Sequence, residues 1–285
     1  MVANVLQKLR KKSISVSDFS SQAWCEKQME LSYLYPRTPT KQMQEGSAIH
    51  HQIQDRVYIP LMLQPEKYPD ILYKEAYENY VNIASMSTKG ICREVKVYGS
   101  VNGFRLSGKI DQLKLENGMT FITEDKTTDK TGAPSNATIK LHVIQVRLYK
   151  SMLDGLISGA YTYENFSNVY GIHEMSLSRN FQSGLIDMGI ADELTNLEGI
   201  YKKMFDQIKN LPNVSDVLEL RYINKSTKEI VSNIKVNYDK EDLNNTLRKD
   251  MEYWNGEREA QPVQEMEKWK CNSCRFFGKE CKTWS

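Results

Sequence analysis

The chain has 285 residues, 40% hydrophobic and 26% charged, which describes an ordinary soluble globular chain of one or two domains. No run approaches the roughly 18 apolar residues that a membrane-crossing helix needs, and stretches such as Tyr58–Leu63 are short and broken by Pro60. With 38 Lys and Arg against 36 Asp and Glu, the net charge of +2 excludes a uniformly basic nucleic-acid coat and leaves room for a local basic groove.

The opening residues carry Lys8, Arg10, Lys11 and Lys12 without an apolar core, so no secretory signal is expected. They read either as the start of the fold or as a short fragment of a mitochondrial presequence. Five cysteines are too few and too irregularly placed for a secreted disulfide framework. A reducing interior compartment is therefore expected, where clustered cysteines mean metal or catalysis.

Periodicity and capping predict a first helix over Asp18–Tyr35 with Ser17 as N-cap, stopping before Pro36. A second runs from Pro39 to about Val57, with Gly46, His50, Ile53 and Val57 along one face. Asp70–Ser85 is helical. The period then changes to two, predicting strands over Arg93–Tyr98, Phe104–Leu115 and Met119–Lys126. A long amphipathic helix follows over Ala137–Ser158, then a strand over Val169–Leu177 and a mostly helical Leu185–Leu211. A hairpin of Val217–Ile223 with Glu229–Val236 and a helix over Asp239–Trp254 complete the order. Helices around a central run of strands predict an α/β fold with a mixed sheet.

Asn117-Gly118 between alternating strands marks a two-residue hairpin turn. In that register paired indices sum to 235, and Asp111 falls opposite Glu124. Cross-strand Cβ atoms are then about 4.5–5.5 Å apart, close enough for two carboxylates to share one divalent cation. Lys126, two residues beyond Glu124, projects to the same face. That face also carries Leu113, Leu115 and Ile122, so it is the buried one, and buried charges need a partner or a metal. A solvated strand end with decorative acids is the competing reading. Two carboxylates and a lysine suit metal-dependent phosphodiester hydrolysis with Mg²⁺, or Mn²⁺ in its place. The lysine orients water or neutralises charge at phosphorus.

Gly108-Lys109-Ile110-Asp111 followed by Glu124-Asp125-Lys126 resembles the divided core motif of the PD-(D/E)XK nuclease superfamily. In its RecB-like branch a helical histidine precedes the core and a Gln-x-x-x-Tyr helix follows. Here these correspond to His50 in Gly46-Ser47-Ala48-Ile49-His50, and to Gln145-Val146-Arg147-Leu148-Tyr149. The resemblance implies that His50 is a metal ligand with Asp111 and Glu124, and that Gln145 and Tyr149 line the DNA channel. Arg147 and Lys150 on the same helix are further candidate DNA contacts. Glu94 is a second-tier candidate, equally readable as a surface glutamate.

Cys271-Asn272-Ser273-Cys274 and Cys281 form a C-x2-C-x6-C cluster near the C-terminus, and Cys25 is the candidate fourth ligand. Cys92 reads as an ordinary buried thiol. Zinc and four-thiolate iron–sulfur ligation both fit the spacing. RecB-like nucleases that carry a 4Fe–4S cluster use one cysteine before the core and three after it. Within this group the chain most resembles the eukaryotic exonuclease V family, through Ser17-Asp18, Trp24-Cys25-Glu26, the core, and Trp254-Asn255-Gly256-Glu257-Arg258 leading into Trp269-Lys270-Cys271.

The resemblance implies a restriction-endonuclease-like single nuclease domain over 1–285, its ends joined by the four-cysteine cluster. The catalytic core covers about 39–160, and the iron–sulfur elements about 17–35 and 254–285. It implies a Mg²⁺-dependent single-strand DNA exonuclease in DNA repair, monomeric, mitochondrial or nuclear, with no membrane role. A single-strand DNA-binding protein is a candidate partner. A CRISPR-adaptation nuclease of the same fold and a noncatalytic zinc-stabilised nucleic-acid-binding module are the alternatives. The long segment after Gly159 disfavours the first, and the intact Asp111, Glu124 and Lys126 disfavour the second. No GxxxxGK[ST] motif is present, so a fused helicase is not expected.

Overall fold

The computed structural model describes residues 5–54 and 58–284, without the side chains of Gln42 and of residues 50–54. The basic opening belongs to the fold: helix α1 (Val5–Lys8) and the turn after it bury Val5 and Leu9 in the core. Strand β1 (Ile14–Ser15) leads directly into α2 (Val16–Leu34). The N-cap is Ser15 rather than Ser17, because Asp18 completes a reciprocal capping box with it. Ser15 Oγ accepts from the Asp18 amide and Asp18 Oδ2 from the Ser15 amide. Tyr35 ends the helix ahead of Pro36, as its sequence predicts.

Next come α3 (Lys41–Gln54), α4 (Tyr68–Ala84) and the short α5 (Met86–Lys89). The strands β2 (Ile91–Val101), β3 (Phe104–Glu116) and β4 (Met119–Thr128) form an antiparallel meander. Helix α6 (Asn136–Ile157) then returns across the sheet. Its far end leads through α7 (Tyr163–Tyr170), α8 (Arg179–Asp187) and α9 (Leu197–Lys209) to β5 (Val217–Asn224), β6 (Ile230–Asn237) and α10 (Lys240–Trp254). The sheet order is β1-β3-β4-β5-β6, with β2 on the other edge of β3. Strands β4 and β5 are parallel, so the sheet is mixed as expected. Helix α6 packs on β2 through β5 with α2 against it, while α4 packs on β2 and α9 joins α4 to α6.

One element differs in type from its sequence reading. The predicted strand over Val169–Leu177 is instead the end of α7 and a 3-10 turn over Ile172–Glu174. Thr162 caps α7, Gly171 ends it at φ +67°, and Phe166 stacks on Tyr170 and packs against Tyr98 and Tyr201, while Tyr170 meets Tyr98 edge to face. Those aromatic contacts outweigh the β-propensity of a short apolar run. The mostly helical Leu185–Leu211 is helical as expected but in separate pieces, with Gly189 at φ +72° just beyond the end of α8 and Asn196 opening α9 as a fresh N-cap. Among the described residues no helix is long and apolar enough to cross a membrane.

Candidate active site

The hairpin forms as its turn residues require, with Asn117 and Gly118 both at positive φ, +50° and +73°. The β3–β4 ladder runs from Glu116 opposite Met119 back to Gln112 opposite Thr123, the expected register. There the strands fork. From Thr123 onward β4 pairs with β5, and Asp111 and Glu124 stand at the crotch, one position beyond the last β3–β4 pair. The two strands stay linked at this point by the Asp125 amide, which donates to Asp111 Oδ2 at 2.8 Å.

Glu124 is buried, with 2% exposure. Its Oε1 accepts from Lys126 Nζ and from Gln145 Nε2, both at 2.7 Å, while Oε2 is buried with no hydrogen-bond partner. Burial, and then the neighbouring Asp111 carboxylate, push Glu124 up to about 8, against the opposing pull of Lys126. Burial alone would lower the Lys126 ammonium, but Glu124 and Asp111 outweigh it and hold the lysine charged. The raised Glu124 carboxyl shows that one ammonium is too little positive charge for both carboxyl groups to ionise here. A hard divalent cation with oxygen ligands fits that deficit, and the orphaned Oε2 is the free acceptor it would use. Among the described residues no three His, Cys, Asp or Glu side chains are grouped closely enough to hold a metal. The His50 side chain, expected as the third ligand, lies outside the described residues.

Gln145 and Tyr149 are both buried on α6, with the Gln145 amide also donating to Tyr149 Oη at 3.0 Å. Tyr149 lies against Gly108, where a Cβ would stand 2.5 Å from Cε1 of the ring. The ring is thus a packed support for Gln145 and offers no open face for stacking. Arg147 does not join them. Two positions round the helix, it pairs with Asp242 and donates to the Asn237 carbonyl. Lys150 is likewise committed, to Asp154 at 2.8 Å and the Val214 carbonyl at 3.1 Å. Neither of these two cations lines the groove that Gln145 lines, because α6 turns them toward the β5–α10 side. Glu94, at φ +57°, occupies the position facing Asp111 where the β2–β3 ladder skips a pair, but its carboxylate goes to Lys109 at 3.2 Å.

A groove of about 450 Å³ opens between α2 and α6, and Gln145 lines it while holding Glu124. The α2 wall presents Ser17, Ser20, Ser21, Trp24 and Gln28, and the α6 wall adds Leu141 and His142. The lining described holds no Lys or Arg. His142 Nδ1 lies 2.9 Å from Tyr222 Oη, and burial, then Lys126, lower its pKa to about 3, so the imidazole is neutral. The sequence reading missed this wall, although its signal was present: Ser17, Ser20, Ser21, Trp24 and Gln28 recur at helical spacing on one face.

Cys25, Cys271, Cys274 and Cys281 line one small cavity together with Trp24, Val263, Phe276 and Trp284. All four are free thiols. Helix α2 breaks at Cys25 (φ −166°, ψ 109°), and the Gln28 amide donates to its Sγ at 3.4 Å. Burial raises the Cys25 thiol against the backbone donors at Gln28 and Val263, and Cys274 and Cys271 raise it further. The four thiols are not grouped closely enough to form a metal site as they stand, but a donor set of sulfur alone, with no imidazole or carboxylate in the cavity lining, is the chemistry that suits a soft four-thiolate centre. Cys92 is buried in β2, apart from this cavity.

The chain ends are clasped by protein contacts as well. Trp254 Nε1 donates to Gln22 Oε1 at 2.8 Å, Arg258 pairs with Glu26, and Lys270 Nζ donates to the Trp24 carbonyl at 3.2 Å. Trp24 and Trp269 meet edge to face at 5.6 Å.

The chain matches the model of a family described as "Exonuclease V - a 5' deoxyribonuclease" over residues 4–121 and 187–284. Those stretches include Cys25, His50, Asp111 and the three C-terminal cysteines, while Glu124, Lys126 and Gln145 lie between them. Exonuclease V of Danio rerio is 27% identical over 290 residues, covering 95% of this chain and 70% of that protein. Two solved structures, that of SSO0001 and that of a Eubacterium rectale protein, cover 95% and 94% of this chain and 90% of each of their own. Their identities are 15% and 12% and both TM-scores are 0.42, a likeness too loose to bear on function. On the family match, the chain belongs to the exonuclease V family and is, with it, a deoxyribonuclease.

Proposed function

We propose that this protein is a Mg²⁺-dependent exonuclease specific for single-stranded DNA, with the scissile phosphate held at the fork of β3 and β4. The observation that carries the reading is the buried Glu124 beside Asp111 and Lys126, with one carboxylate oxygen left without a partner. Asp111 and Glu124 would hold the cation, with His50 as the third ligand that the family resemblance implies. When bound, the cation supplies an acidified water and neutralises charge developing at phosphorus. Lys126, held as a full ammonium by the two carboxylates, acts as a charge and a donor rather than as a base. It stabilises the negative oxygens as the leaving group departs. Gln145 fixes Glu124 from the α6 side, so the carboxylate does not turn away when substrate arrives.

The groove between α2 and α6 supports the strand preference. Hydroxyls, Trp24 and a neutral His142 suit unstacked bases, whose contacts are stacking and neutral hydrogen bonds. A duplex keeps those edges paired and stacked, out of reach of such a wall. Digestion from a 5′ end is the polarity in keeping with the family description. Cys25, Cys271, Cys274 and Cys281 would hold a 4Fe–4S cluster with a structural role, coupling the chain ends to the α2 wall of the groove. Work in DNA repair, as a monomer in the mitochondrion or nucleus beside a single-strand DNA-binding protein, is in keeping with this reading.

A substrate panel tests it: end-labelled single-stranded DNA, blunt duplex and single-stranded RNA, each with Mg²⁺ and with EDTA. The expected result is rapid loss of the single-stranded DNA in Mg²⁺ only. Equal degradation of blunt duplex would contradict the strand preference.

A further inference from the structure

Directly behind the carboxylates, the other face of the sheet carries a buried ion cluster that the hydrolytic chemistry does not touch. Asp125, with 1% exposure, accepts from Arg221 Nε at 2.7 Å and Nη2 at 3.0 Å, and from Arg93 Nη2 at 2.5 Å. Gln112 Oε1 accepts from both arginines, at 2.8 Å from Arg93 Nη1 and 3.1 Å from Arg221 Nη2. Gln112 directly follows Asp111, and Asp125 directly follows Glu124. Arg93 comes from β2 and Arg221 from β5, so one knot ties four adjacent strands where the β3–β4 ladder ends. The amide of Asp125 is also the donor to Asp111 Oδ2.

We propose that Arg93 and Arg221 are positioning residues for catalysis, setting the separation of Asp111 and Glu124 by clamping the residue that follows each. This rests on the reading of the two carboxylates as cation ligands. An apolar core at this place would serve stability at least as well, because a buried ion cluster does not repay its desolvation unless fully bonded. Arg93 Nε is in fact buried with no partner. What the cluster supplies and apolar packing does not is a fixed geometry at the fork, held by planar, two-pronged guanidinium contacts.

The test uses Arg221→Gln and Arg221→Lys in the full chain, since the Arg221 side chain is 19% exposed and a replacement there reaches water. Mn²⁺ binding is read without DNA by electron paramagnetic resonance of the free ion, beside kcat, KM for single-stranded DNA and melting temperature. Groups that support metal ligands typically cost about 10–100-fold in metal affinity or activity when removed. Arg221→Gln is therefore expected to weaken Mn²⁺ about 10-fold and lower kcat by a similar factor, with KM within about twofold. Arg221→Lys restores part of both. Gln112→Met, which keeps both arginine–Asp125 pairs, provides a second variant should Arg221→Gln not fold, with an expected loss of about threefold. Mn²⁺ affinity and kcat within twofold of the parent in the folded variants would overturn the clamp alone. Parental Mn²⁺ binding in Asp111→Asn would overturn the site itself, and the clamp's role with it.

Discussion

Gly108 shows how one missing side chain shapes the site. A Cβ there would stand 2.5 Å from Tyr149 Cε1 and 2.7 Å from Val16 Cγ2, inside contact distance of two packed groups. Gly108→Ala is expected to cost about 1–3 kcal/mol, as overpacking of a filled core does, measurable by denaturant unfolding. It should also lower activity, because a displaced Tyr149 no longer supports Gln145 at Glu124. Parental stability and rate together would contradict this packing. At this scale Asp111, Glu124 and Lys126 were legible because a period of two and an Asn-Gly turn fix side-chain direction and register locally. The Arg93–Asp125–Arg221 knot was not. Arg221 lies 96 residues from Asp125, and β4 and β5 pair in parallel with no local turn to set their register. Nor did the spacing of α6 say that Arg147 would find Asp242, a partner on a helix that arrives only through the tertiary fold.

Among the elements, α2 and α10 meet through a buried polar seam that makes stability depend on pH. The Gln22 side chain donates to Glu26 at 2.6 Å and to the Asp250 carbonyl at 2.9 Å. Burial, then the Glu26 charge, push the Asp250 carboxyl up to about 7, and its Oδ2 has no partner. Between about pH 4 and pH 7 the folded chain holds a proton at Asp250 that the unfolded chain has released. Stability from this group is therefore lost as pH rises through that window. Asp250→Asn should raise stability at pH 8 by roughly 1–3 kcal/mol and flatten the decline. Melting curves from pH 4 to 8 decide it, and an unchanged slope would count against the assignment. Element types were largely readable from capping and period, α10 with its Asp239 cap most clearly. The misread Val169–Leu177 depended on the packing of Tyr170 against Tyr98, which no local window contains.

For the molecule as a whole, the two chain ends meet through protein contacts beside a cavity that the four cysteines line. With the proposed centre in place, closing so long a loop would restrict the unfolded chain by about 5.5 kcal/mol, if disulfide loop entropy is a guide, and metal binding would couple to folding. Replacing any one of Cys25, Cys271, Cys274 or Cys281 by Ser should remove iron and sulfide, lower the melting temperature and weaken single-strand binding. Cys92→Ala should do none of these. Stoichiometric zinc without sulfide, in protein kept from oxygen throughout, would contradict the iron–sulfur proposal. The cysteine spacing was readable in sequence, but the clasp of Trp254, Arg258 and Lys270 on α2 was not, since its partners span nearly the whole chain. The most direct test of the central claim is the single-strand degradation rate of Asp111→Ala and Lys126→Ala beside the parent, in saturating Mg²⁺. Loss of the cation-holding charge or of the ammonium should slow cleavage by at least about 10²-fold with the fold retained, by analogy with removal of a transition-state donor. A rate within a few-fold of the parent for either folded variant would contradict it.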